Sequence, residues 1–176
     1  MGGTDVRSLS LLPLLALALS FGVARAEEEA PKARSVVLAV IVHPKNPVSD
    51  ISFSELRAML KLERQFWPNG RRAVLYLRPS ETDESQVLLD RIYKMTPEKL
   101  QKYWVGKLFS GEIPAKPSYV PTAEAAGSRV SVQEGALSIV LAGEVPKDVK
   151  VLTIDKKKVD DKEYALSGVI EPASAP

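Results

Sequence analysis

Apolar residues in this chain come in short unbroken runs, separated by segments where they recur every three or four positions. The first internal run, Ser35 to His43 (SVVLAVIVH), is rich in β-branched residues and has no charged break. That pattern predicts a strand buried on both faces. Pro44-Lys45-Asn46-Pro47 ends it, because proline supplies no ladder donor and cannot continue a helix. Ser52-Phe53-Ser54-Glu55 is a capping box, and it predicts a helix to about Leu62 with Leu56, Met59 and Leu60 on the inner face. The Asn69-Gly70 turn leads to a second strand, Ala73 to Arg78. Thr82 or Asp83 then caps a helix reaching about Met95, with Leu88, Leu89 and Ile92 buried.

Thr96-Pro97-Glu98 starts another helix, with threonine as cap and proline in the first turn; its apolar stripe is Leu100, Tyr103, Trp104 and Leu108. Phe109 to Pro121 is rich in proline and predicts an irregular connection. A short helix from Thr122 to about Val132 follows, with Gly127 expected to break it or end it early. Gly135 marks a turn into a strand, Ala136 to Leu141, and Val149 to Ile154 is the last predicted strand. Residues 167–176 read as a disordered tail. Strands alternating with helices imply an α/β sandwich.

The N-terminus changes the picture of where the domain begins. Leu9 to Val23 is mostly apolar, follows Arg7, and ends at Ala24-Arg25-Ala26 before an acidic run. This fits a secretory signal peptide over residues 1–26. Residues 27–34 then form a flexible lead-in, and residues 35–166 the domain. About 150 residues remain after cleavage, enough for one domain with a real core. Losing Arg7, Arg25 and Asp5 leaves positive and negative charges nearly balanced, which gives no support to nucleic-acid binding. The chain has no cysteine and one histidine. Disulfides, a bacterial lipid anchor and histidine-rich metal sites are therefore not expected, nor is a cofactor. The expectation is a periplasmic or secreted protein with no stable membrane insertion once the signal is cleaved. Lys156-Lys157-Lys158 lies among Asp155, Asp160 and Asp161 and reads as a solvated loop.

The candidate chemistry lies in the segment from Trp67-Pro68-Asn69-Gly70 to Arg78-Pro79-Ser80-Glu81-Thr82-Asp83-Glu84-Ser85. A strand runs into a hydroxyl-rich loop that opens a helix, and such loops present N–H groups and hydroxyls to an anion. Arg78 would supply a two-pronged charge, and Ser80, Thr82 and Ser85 direction. The same residues also suit an ordinary capped helix. His43, at a strand end where binding loops emerge, is a further candidate ligand contact. Trp104 reads as core, while Trp67 could be core or cleft. No catalytic triad, metal cluster or P-loop motif is present, so an enzyme is not expected.

Several segments resemble, in order, the periplasmic substrate-binding proteins of phosphate ABC transporters. Ala39 to Ser49 is similar to their "VVVNPxNPV" segment, Ser52 to Leu62 to the "LTxxELRxIF" helix, and Phe66 to Gly70 to the "xWxDG" turn. Leu77 to Ser85 stands where the family has its "R-x-x-G-S-G-T" phosphate loop, and Gln133 to Val140 where it has "xxPGAIGYV". Val151 to Asp155 and Tyr164 to Leu166 resemble the closing "VxxLxIDG…YPL". The resemblance implies a periplasmic-binding-protein-like sheet flanked by helices, truncated relative to the two-lobed fold.

Two departures bear on function. The half that precedes "NPxNPV" in the family, with its own anion-contacting loop, has no counterpart here. Both glycines of the phosphate loop are also replaced, and carboxylates stand among the hydroxyls, where they repel a phosphate dianion. The leading expectation is a non-enzymatic domain binding phosphate or a related oxyanion weakly, associated with a permease. The alternative is a ligand-free interaction or assembly module of the cell envelope, with a protein partner.

Overall fold

The computed structural model describes residues 33–170, together with Gly2. The expected signal peptide and residues 171–176 of the expected tail lie outside the described residues.

The first strand, β1 (Arg34–Val42), has Leu38 to Val42 fully buried, as its apolar run predicts. Its alternation sorts the core into two parts. Leu38, Val40 and Val42 face one side of the sheet, and Ala39 and Ile41 the other. Burying each of these larger aliphatic side chains contributes about 1.5–3 kcal/mol. The strand begins at Arg34, so the lead-in ends earlier than the charge pattern suggested.

A two-residue strand, β2 (Asp50–Ile51), precedes helix α1 (Phe53–Leu60). The capping box is present: the Ser52 hydroxyl accepts from the Glu55 N–H, and the Glu55 carboxylate accepts from the Ser52 N–H at 3.3 Å. Strand β3 (Val74–Leu77) leads to α2 (Asp83–Leu88), which widens into a π-type turn at Leu89–Tyr93 and stops at Lys94 in the left-handed region. Helix α3 (Pro97–Phe109) follows. The proline-rich connection contains a short strand, β4 (Ser118–Tyr119), which the sequence pattern had hidden.

Helix α4 (Ala123–Val132) runs through Gly127 without a break. A Cβ at Gly127 would come within 2.4 Å of Pro146, so the glycine serves a close approach rather than a helix stop. Strand β5 (Ala136–Leu141) lies beside β1. The expected strand at Val149–Ile154 divides into β6 (Lys150–Val151), bonded to β1, and β7 (Thr153–Ile154), bonded to β2. The last strand, β8 (Ser167–Ile170), pairs with Arg34–Val37 of β1. This corrects the expected start of the disordered tail. Two apolar residues are too short a run to mark a strand; the ladder to β1 places it, and Ile170 packs into the core beside it.

The main sheet runs β4-β3-β5-β1-β6, with β8 also on β1. It is mixed: β3 is parallel to β4 and β5, while β1 is antiparallel to β5. Side chains of α1, α2 and α3, among them Leu56, Met59, Leu88, Ile92, Leu100 and Trp104, pack on one face. Small residues of α4, with Val120 and Val130, pack on the other. The fold is an α/β sandwich with helices on both faces, as predicted.

Candidate functional site

The parallel pairing of β3 with β4 positions the loop. Tyr76 and Leu77 stand opposite Ser118 and Tyr119, so both strands end at the same edge of the molecule. Arg78, leaving β3, lies next to Val120, leaving β4. Its Nη1 donates to the Val120 carbonyl at 3.0 Å, and its Nε donates to Glu84 Oε1 at 3.1 Å. The two side chains are 11% and 3% exposed, so this is a buried ion pair. Glu84 belongs to the first turn of α2, six residues along the chain from Arg78, and the loop folds back to bring them together.

The loop hydroxyls are spent on the loop itself. Thr82 Oγ1 donates to the Pro79 carbonyl at 2.8 Å and accepts from the Ser85 N–H at 3.4 Å. Ser85 Oγ donates to the Arg78 carbonyl at 2.8 Å. Ser80 Oγ donates to the neighbouring Glu81 carboxylate at 3.3 Å. Arg34 from β1 pairs with Asp83. Glu124, in the first turn of α4, is held below the usual carboxylate range by its own backbone N–H and the Thr122 hydroxyl, with a contribution from the Arg78 charge. Around the loop, the guanidinium groups of Arg34 and Arg78 thus pair with Asp83 and Glu84, with Glu81 and Glu124 close by.

The structure brings Arg78, Ser80, Thr82 and Ser85 together and leaves His43 apart. Val42 pairs with Leu137 and Val74 with Ala136, so His43 lies where β3 begins, not where it ends. The length of β3 separates the two places, about 13 Å at the usual rise per residue. His43 is buried, and its Nδ1 accepts from the Lys45 N–H at 3.1 Å. Asn46 closes the same turn, its Oδ1 accepting from the Val48 N–H at 2.9 Å. Trp67 is core: its Nε1 donates to the Gly135 carbonyl at 2.9 Å. Gly135 has φ +93°, and a Cβ there would come within 2.4 Å of the Arg72 carbonyl oxygen.

Beside the Arg78 loop is a hollow of about 350 Å³. Leu77, Leu88, Leu89, Tyr93 and Leu100 form its apolar walls, with Gln101 at the mouth. No lysine or arginine lines it. Its acid, Glu98, is held below the ordinary carboxylate range by the Thr96 hydroxyl and its own backbone N–H. Burial pushes the Tyr93 phenol well above its usual pKa, and its hydroxyl donates to the Leu60 carbonyl at 3.0 Å. Among the described residues, no group of three or more His, Cys, Asp or Glu could hold a metal ion.

No protein-family model matches the sequence, and neither does any curated protein. Solved structures do match in shape. An ABC-type phosphate transport receptor from Vibrio cholerae superposes with a TM-score of 0.59 at 16% identity, over 80% of this chain and 59% of that one. PstS from Borrelia burgdorferi gives 0.60 at 14% identity, over 77% of this chain and 57% of that one. The chain shares the fold of phosphate-transport receptors. It spans less than three fifths of the length of either structure.

Sequence reasoning reads Glu84 as a first-turn residue and a repelling charge, and names a lock between Arg78 and Glu81 or Glu84 as the arrangement that would end the transport-type reading. The lock to Glu84 is present, while the Val120 carbonyl and Glu124 were missed altogether. A signal for Glu84 was present. A carboxylate in the first turn of a helix that follows an arginine-ended strand has a guanidinium within reach. Nothing in the proline-rich connection reveals that Val120 returns beside Arg78.

Proposed function

We propose that this is a non-enzymatic binding domain on a solute-binding fold, and that it does not capture free phosphate in its resting state. We infer that it receives an uncharged, largely apolar small molecule in the hollow beside the Arg78 loop. The observation that carries this reading is the buried Arg78–Glu84 pair at 3.1 Å. To reach Arg78, an oxyanion would have to displace a carboxylate already in place. It would also sit among further carboxylates, where one unit charge about 5 Å from another costs roughly 3 kcal/mol at an effective dielectric constant near 20. The hollow has the volume and apolar lining of a small-molecule pocket. With Glu98 ionised and no lining cation, charge complementarity favours a neutral guest over an anion.

The apolar run Leu9–Val23 and its Ala24-Arg25-Ala26 border support export to the periplasm. No helix among the described residues is long and apolar enough to cross a membrane.

The test uses the uncharged fluorophore N-phenyl-1-naphthylamine, alongside calorimetric titration with sodium phosphate. Saturable fluorescence enhancement, abolished by Gln101→Trp at the mouth of the hollow, with no heat from millimolar phosphate, is the expected result. Unsaturable fluorescence, or saturable phosphate binding by the unaltered protein, overturns it. The likeness to phosphate-transport receptors favours a second reading, weak capture of an oxyanion at Arg78 for delivery to a permease. The phosphate titration separates the two.

A further inference from the structure

The Arg78–Glu84 pair has a consequence beyond closing the loop. The Glu84 carboxylate offers Arg78 what a bound oxyanion would offer: a negatively charged oxygen at hydrogen-bond distance, in a place nearly closed to water. The chain holds this oxygen in position through α2, so its effective concentration at Arg78 far exceeds that of a millimolar solute. The guanidinium also carries a further contact, to the Val120 carbonyl, which does not involve Glu84.

We infer that Glu84 is a tethered ligand occupying the loop's anion position, and that removing its charge turns the loop into a binding site for a small oxyanion such as phosphate. This rests on the reading that the resting loop is closed. A buried guanidinium left without its carboxylate is destabilising, and an anion from solution that restores the charge balance is bound preferentially by the folded state. Glu84 then decides whether this loop has a ligand at all. An event that drew Glu84 away would have the same effect as removing its charge.

The experiment compares the unaltered full-length chain with Glu84→Gln, Glu84→Ala and the double variant Arg78→Ala/Glu84→Ala. Thermal midpoints and calorimetry are followed in sodium phosphate and in sodium chloride of equal ionic strength. Glu84→Gln removes the charge at nearly constant side-chain volume and retains the fold even if Glu84→Ala, which also vacates the space beside Arg78, does not. Both single variants are expected to melt lower than the parent in chloride. Phosphate is expected to raise their midpoints saturably and to bind at least roughly tenfold more tightly than to the parent, a difference of about 1.4 kcal/mol. The double variant is expected to show no phosphate response. Folded Glu84→Gln with no phosphate response overturns the inference and leaves the closed-loop reading standing. An equal response in the double variant also overturns it, because Arg78 would then not be the anion's partner. Phosphate binding by the parent as tight as by Glu84→Gln overturns the closed-loop reading itself.

Discussion

The two ends of the sheet carry similar residue types and use them in opposite ways. Where β1 meets the start of β5, the side chains of His43, Asn46 and Trp67 each bond to backbone and lock turns; none of these side chains pairs with a charged group. Where β3 and β4 end, Arg78 has two partners, one of them a buried carboxylate. The difference comes from strand direction. Parallel strands must return by long connections, so two loops and the first turns of α2 and α4 are delivered to the same edge. At the opposite end, where β1 ends and β3 and β5 begin, the chain makes tight turns at His43–Asn46 and Trp67–Gly70, and Asn46 and Asn69 satisfy amides of their own turns. A polar residue at a strand end therefore points to a binding function only once the direction of the neighbouring strands is known.

The largest effect expected from this comparison is at the charged end. Arg78→Ala leaves Glu84 buried and unpaired, which costs about 3–5 kcal/mol. Urea denaturation would show it as a lowered midpoint, and an unchanged midpoint would mean that water reaches the pair freely. At the turn-locking end, Trp67→Phe removes the donor to the Gly135 carbonyl, a loss of about 1–3 kcal/mol. The same denaturation series measures it, and phosphate should not modulate it. If it were phosphate-sensitive, the two ends would be coupled rather than separate.

The third effect appears only in alkali. Burial pushes the Tyr164 phenol up to about 12, and that of Tyr93 higher still. A phenol whose folded pKa is raised binds its proton after the unfolded chain has released it. Its contribution is complete below pH 10 and is lost as pH rises from there toward about 12. Thermal midpoints should be level around neutrality and fall steadily above pH 10, and Tyr93→Phe should flatten part of that fall. A midpoint that stayed level to pH 12 would mean that neither ring is sealed in the folded state.

The capped helices and the doubly buried strand were legible because each depends on neighbours a few residues away. Ser52 with Glu55 and Thr96 with Pro97 are local arrangements, and the apolar run of β1 buries on both faces whatever covers it. The strand β8 was not legible, since Ser167 to Ile170 becomes a strand only by completing the edge of β1. Nor was the continuity of α4 through Gly127, which depends on Pro146 arriving against it.

By itself the sequence determined the kind of fold, the helix starts, the position of the arginine-led loop and the loss of its glycines. These follow from local periodicity, capping chemistry and backbone freedom. Only the tertiary structure decided what the loop does with its charges. Whether a carboxylate six residues from an arginine repels a ligand or replaces it depends on how the backbone turns between them and on which strand ends alongside. Here the parallel β3–β4 pairing sets the Val120 carbonyl against Arg78, and the first turn of α2 brings Glu84 inward. Partners that packing brings in from distant parts of the chain, such as the Val120 carbonyl, are recorded by no local pattern of residues.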